Sequence, residues 1–169
     1  MWSQNSRRVI PLFLLLSLCA CGFKPMYGKQ GNNNFSGVLV EASSETRKVA
    51  RQLQFDLEDK LNPSGRVPAN PTYRLVASVR STTSSIGVAR DGTVSRYNIN
   101  LISDYTLYKI GQKEPVTSGQ LRHVSSYNNL VNQYYSTYVS EQDAMKRGLT
   151  GLAELYRQRL SSYLAKDAS

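Results

Sequence analysis

The residue with the clearest chemical prospect is a thiol. Cys21 follows Leu18, Cys19 and Ala20, and ahead of them lie Arg7, Arg8 and an apolar run from Val9 to Ala20. A charged start, an apolar stretch and a small residue before a cut make a secretory signal. The run is too short to cross a bilayer, which takes about 20 apolar residues. Leu-x-Ala-Cys is the spacing of a bacterial lipobox, in which the cysteine is acylated and becomes the new N-terminus. Residues 1–20 are therefore expected to be removed, and Cys21 is the expected lipidation site, with palmitate as a typical chain. Each buried CH₂ contributes about 0.8 kcal/mol, so two or three chains anchor a protein to a membrane effectively for good. Gly22, not Asp, follows the cysteine. Under the sorting rule of enteric bacteria this addresses the protein to the outer membrane, lipid-anchored on the periplasmic side.

Cys19 leaves with the signal and Cys21 is lipidated, so the domain is expected to hold no disulfide and to do no thiol chemistry. Removing Arg7 and Arg8 from the 21 basic residues leaves 19 against 12 acidic, a net charge of +7. Positive charge spread along a globular sequence suits an anionic partner. Nucleic acid is not expected outside the cytoplasm. The anions left are lipopolysaccharide phosphates, phospholipid heads and peptidoglycan carboxylates. Catalytic sets are lacking: no glycine-rich phosphate loop, no Ser-His-Asp pattern and no metal-ligand spacing stands in the sequence. His123, without a second histidine, reads as a strand or surface residue. Asp56, Glu58 and Asp59 read as an exposed helical face. The expectation is a binding or assembly module, not an enzyme, with no cofactor and no metal.

Arg90 and Arg96 are the candidate ligand-binding residues, and the elements around them give the reason. Residues 72–86 alternate, with Tyr73, Leu75, Ala77 and Val79 on one side and Arg74, Ser78 and Arg80 on the other. Residues 93–110 alternate too: Tyr97, Ile99, Leu101, Tyr105 and Leu107 share a face. Both runs read as half-buried strands. Paired residues face the same way, and both apolar sets fall on odd numbers, so a three-residue loop pairing 89 with 93 fits where a two-residue loop does not. The half near the turn is rich in Ser and Thr. The hairpin is expected to project beyond its core, with Arg90 and Arg96 near its tip.

The other elements follow the chain. Residues 21–34 read as a lipidated anchor and tether, and 35–169 as one domain. Residues 36–43 read as a strand. Ser43 or Ser44 is placed to cap a helix with Glu45 in its first turn. Val49, Leu53, Leu57 and Leu61 form that helix's stripe, ended by Asn62-Pro63-Ser64-Gly65; Phe55 lies off it, exposed. Gly111–Glu114 reads as a turn and 115–127 as a third long strand whose weak alternation assigns no faces. Residues 128–139 read as a loop carrying Tyr134, Tyr135 and Tyr138. Ser140 with Asp143 reads as a capping box opening a last helix, striped by Met145, Leu149, Leu152, Tyr156, Leu160 and Tyr163. The order βαβββα predicts an α+β two-layer sandwich: a four-stranded, mostly antiparallel sheet with two helices on one face. The other face is expected to be polar and basic (Arg74, Arg80, Arg96).

The stretch Cys21-Gly-Phe-Lys-Pro-Met-Tyr-Gly28 resembles the start of the lipopolysaccharide-assembly lipoprotein LptE family, and Ser140-Glu141-Gln142-Asp143-Ala144 is similar to a feature of one of its branches. The element order matches along the mature chain; the middle is similar in pattern only. The resemblance implies a two-layer α/β sandwich that binds lipopolysaccharide and sits within the LptD outer-membrane barrel, the two together assembling lipopolysaccharide in the outer leaflet. It transfers no ligand residue. Two other readings stay open: a lipoprotein scaffolding another envelope complex, such as barrel insertion, and one that binds or hydrolyses peptidoglycan.

Overall fold

A computed structural model describes residues 37–62, 69–88, 94–129 and 132–167, all within one unit, Asn34–Ser169. Cys21, the tether and Arg90 lie outside the described residues. The elements are β1 (Val38–Ser44), α1 (Arg47–Leu61), β2 (Tyr73–Val88), β3 (Val94–Lys109), β4 (Pro115–Asn128) and α2 (Tyr134–Asp167). The strands form one sheet in the order β1-β2-β3-β4. β1 runs parallel to β2, and the other neighbours are antiparallel. This is the expected α+β class and element order.

Side-chain period decides which residues go inside. Leu75, Ala77 and Val79 of β2 and Ile99, Leu101, Tyr105 and Leu107 of β3 are buried, as strand alternation requires. The helical stripes meet them: Leu53, Leu57 and Leu61 of α1 and Leu149, Leu152, Tyr156 and Leu160 of α2 are buried in the same core. Val49, Met145 and Tyr163 are partly buried at its margin. Leu53 and Val79 thus share one core, as their stripes predict.

The β2–β3 register runs from Tyr73–Lys109 to Ser85–Tyr97, and Val88 pairs with Val94. The loop, with the expected pairing of 89 with 93, lies outside the described residues. A bulge near Gly87 interrupts the ladder. Ser81 to Ile86 are all exposed, but Leu101 and Ile99, paired with Ser81 and Thr83, are buried, so the hairpin runs past the core on its β2 side while β3 stays in the core as far as Ile99. Gly111 takes a positive φ of 87° in the β3–β4 turn, a conformation glycine adopts without steric cost.

Two helix starts differ from the sequence reading. α1 begins after Thr46, not after Ser43 or Ser44. Both serines belong to β1, opposite Ser78 and Val79, and Ser43 Oγ donates to the Ala77 carbonyl at 3.3 Å. Strand pairing takes the residues that a cap would need, and Glu45 stays outside the helix. α2 begins at Tyr134, six residues before Ser140. Asn132 turns the chain with φ 63°, and the Thr137 N–H donates to the Gln133 carbonyl at 3.0 Å to close the first turn. Ser140 is therefore a mid-helix residue, and Asp143 pairs with Arg147 one turn on instead of capping.

β4, whose faces alternation left unassigned, buries Leu121 and turns His123, Ser125 and Tyr127 partly inward, while Gln120 and Arg122 face out. α2 comes unusually close to this strand. A Cβ on Gly151 would stand 2.5 Å from His123 Cε1, and one on Gly148 would stand 2.9 Å from Leu101 Cδ1. His123 is thus a packing residue beneath the last helix.

Candidate functional site

The outer face of the sheet is polar, but it is not the basic surface expected from Arg74, Arg80 and Arg96. Arg80 Nη2 donates to Asp104 Oδ2 at 2.9 Å, and Gln120 Nε2 donates to the other oxygen at 2.7 Å. Arg122 Nη2 donates to Asn100 Oδ1 at 3.0 Å. Arg74 lies 3.9 Å from the Glu41 carboxylate, with its guanidinium 5.0 Å from the centre of the Tyr108 ring. Cross-strand neighbours on one face interact in this way. Glu41 and Asp104 sit on strands adjacent to these arginines, so Arg74 and Arg80 are locally compensated.

Arg96 differs. It is exposed near the distal end of β3, opposite Asn128 of β4. Its Nη2 donates to Ser126 Oγ at 2.8 Å, and among the described residues it has no carboxylate partner. It borders an open hollow of about 330 Å³ shared with Tyr127, Ser140, Asp143 and Arg147. The 134–167 helix supplies the last three of these residues. Asp143 and Arg147 are ion-paired, so among the described residues the hollow's one carboxylate is engaged with Arg147 and not with Arg96. Tyr127 stacks on Tyr97 with ring centres 5.4 Å apart. Burial, with the Glu141 carboxylate nearby, pushes its phenol above the ordinary value, so it stays a hydrogen-bond donor. A guanidinium fork and neutral hydroxyl donors around a small hollow can hold a phosphate or another compact anion.

Of the candidate site residues named from sequence, Arg96 is placed at this hollow; Arg90 and Cys21 fall outside the described residues. Lys113 is far along the chain in the β3–β4 turn, at the opposite end of the hairpin strands. Arg147 and Tyr127 were not foreseen as site residues, because their proximity to Arg96 depends on how α2 lies against β4. That start also creates a surface. Tyr134 is 87% exposed, Tyr135 80% and Tyr138 56%, with Val139 beside them. Tyr134 with Tyr138 and Tyr135 with Val139 are each four apart, the helical spacing that could have revealed the element. Among the described residues no group of three His, Cys, Asp or Glu could hold a metal ion.

No family model and no curated protein matches the sequence. Solved structures do match. A lipoprotein from Caulobacter crescentus CB15 superposes with a TM-score of 0.61 at 22% identity, over 76% of this chain and 91% of that one. The fold is one found in bacterial lipoproteins. Rare lipoprotein B from Shewanella oneidensis matches with a TM-score of 0.59 at 12% identity, over 77% of this chain and 98% of that one. A minor lipoprotein from Acinetobacter baumannii matches at 0.56 and 14% identity, over 76% and 92%. At such identities the likeness establishes the shared fold.

Proposed function

We propose that the protein is an outer-membrane lipoprotein, anchored through Cys21, that binds lipopolysaccharide and acts in complex with an LptD-type β-barrel to place it in the outer leaflet. It has no catalytic role of its own in this reading. The observation that carries the proposal is Arg96, exposed and without a carboxylate partner among the described residues, at a hollow it shares with Arg147. Lipid A and core sugars carry phosphates, and a guanidinium meets a phosphate with two parallel hydrogen bonds. Arg90, six residues before Arg96 across the hairpin turn, is assigned to the same ligand. The LptE-like motif at Cys21–Gly28 and the fold shared with bacterial lipoproteins support the same reading. A barrel interior is polar and wet, and a sheet face of paired arginines, Asp104, Gln120 and Asn100 suits such surroundings.

The test is lipopolysaccharide binding by the Arg90→Ala/Arg96→Ala double variant. A charge-assisted hydrogen bond contributes roughly 1.5–3 kcal/mol, so affinity should fall about tenfold or more, while the melting temperature stays put because Arg96 is exposed. High salt should weaken the wild-type interaction. Undiminished binding by a folded double variant would remove both arginines from the site. Co-purification of a single large barrel partner from membranes tests the second half of the proposal; recovery of several unrelated partners instead would refute it.

A further inference from the structure

The sheet has an unfinished edge beside a groove. β1 pairs with β2 only from Tyr73 to Val79. β2 continues to Val88 with β3 on one side. From Arg80 to Ser85, before the bulge, its other side has no strand partner among the described residues. Six residues of strand span about 20 Å, and their outward N–H and C=O groups are a template for another strand. Protective features are few: Ser81 to Ser85 contain no charge and no proline, and Arg80 is turned to Asp104 on the outer face.

The missing strand's place is next to an open groove of about 500 Å³ between the starts of the two helices. Ser81 of β2 forms part of its wall, so the groove meets the free edge at its start. Val49, Met145 and Leu149 give it an apolar lining, and the exposed Lys48 and Lys146 lie at its rim. Lys48 Nζ donates to Gln142 Oε1 at 2.5 Å, a neutral partner. The one carboxylate in the lining, Asp143, is ion-paired with Arg147. The groove is therefore apolar within and cationic at its margin.

We propose that this edge and groove together take up an extended segment of a partner protein as an added strand. Backbone bonds to Arg80–Ser85 give the pairing, and alternate side chains give the specificity. The side chains on the groove side are apolar in the middle, against Val49, Met145 and Leu149, and acidic toward the ends, within reach of Lys48 and Lys146. A lipid chain could fill the groove but would leave the strand edge open. A peptide strand satisfies both features, which is why the edge favours protein over lipid.

The test uses the full chain in detergent and a capped, fluorescein-labelled peptide, Glu-Thr-Val-Thr-Val-Thr-Glu, whose valines and end carboxylates share one face. The peptide should bind saturably and slow amide hydrogen exchange between Arg80 and Ser85. The double variant Lys48→Glu/Lys146→Glu, both at exposed positions, should bind it at least about fivefold more weakly, since two exposed pairs turn from attraction to repulsion. The same variant should recover affinity for the peptide with lysine at both ends, which shows that it remains folded. Binding that leaves exchange at 80–85 unchanged overturns the proposal. So does exchange that slows at 80–85 with protein concentration alone, accompanied by dimers in sedimentation, because the occupant is then a second copy.

Discussion

Replacing Gly151 by alanine in the middle of the last helix sets two known effects against each other. Alanine in place of a helical glycine contributes about 0.8–1.0 kcal/mol of stability. Here the new methyl would stand 2.5 Å from His123 Cε1, 2.6 Å from Nε2 and 3.1 Å from Nδ1. The whole imidazole edge is in the way, so the ring must swing aside or the helix must lift from β4. Overpacking of this kind costs about 1–3 kcal/mol. The net change is a loss of roughly 0–2 kcal/mol. In a His123→Ala background the obstacle is gone, and the same substitution should be stabilising by about 1 kcal/mol. The coupling between the two sites is then about 1–3 kcal/mol, well above the scatter of additivity. Urea unfolding of the four proteins of the cycle, followed by circular dichroism in detergent, measures it. Gly148→Ala is the control. Its methyl meets Leu101 Cδ1 at 2.9 Å and Ser125 Cβ at 3.2 Å, so it should remain destabilising whether or not His123 is present. Equal stabilisation by Gly151→Ala in both backgrounds would refute the close seating of the helix on His123.

Four further outcomes follow from interior hydrogen bonds, from an ion pair and from the anchor. Tyr156 and Ser103 share a buried hydrogen bond of 2.6 Å, and Ser103 Oγ donates on to the Ser78 carbonyl; Ser103→Ala should cost about 1–3 kcal/mol by stranding the phenol, and Tyr156→Phe added to it should recover part of that loss, read by thermal melting. Burial holds the Tyr156 phenol far above its ordinary value, so alkaline spectrophotometric titration should leave one tyrosine un-ionised until the fold opens. Hydrogen bonds from Arg157 chiefly hold Glu154 below its ordinary value of 4.5; the stability this gives is full above 4.5 and is lost as the pH falls through the lowered value, so Glu154→Gln should flatten the acid limb of a stability–pH curve. Metabolic labelling with a fatty acid should tag the wild type and not Cys21→Ala; label on the variant would remove the lipobox assignment.

The sequence by itself determined the elements whose side chains repeat. A period of two in 72–86 and 93–110 and the three- and four-residue spacings of the stripes Val49–Leu61 and Met145–Tyr163 fixed the strands, the helices, their buried faces and the parity of the hairpin. Those features follow from backbone geometry alone, because the side that meets the core is set by the repeat. The lipobox expected at Cys21 likewise rests on local spacing. Where a residue's partner came from a distant element, local signals misled. Ser43 looked like a cap and became a strand residue because β2 lies beside it. Ser140 looked like the start of a helix that in fact begins at Tyr134, where Asn132 turns the chain. Arg74 and Arg80 looked like free cations until the sheet set Glu41 and Asp104 next to them. His123 carried no meaning until Gly151 was laid over it. The hollow at Arg96 and the open edge of β2 are products of assembly alone: each depends on how far one element runs past its neighbour, and that length is decided by long-range pairing.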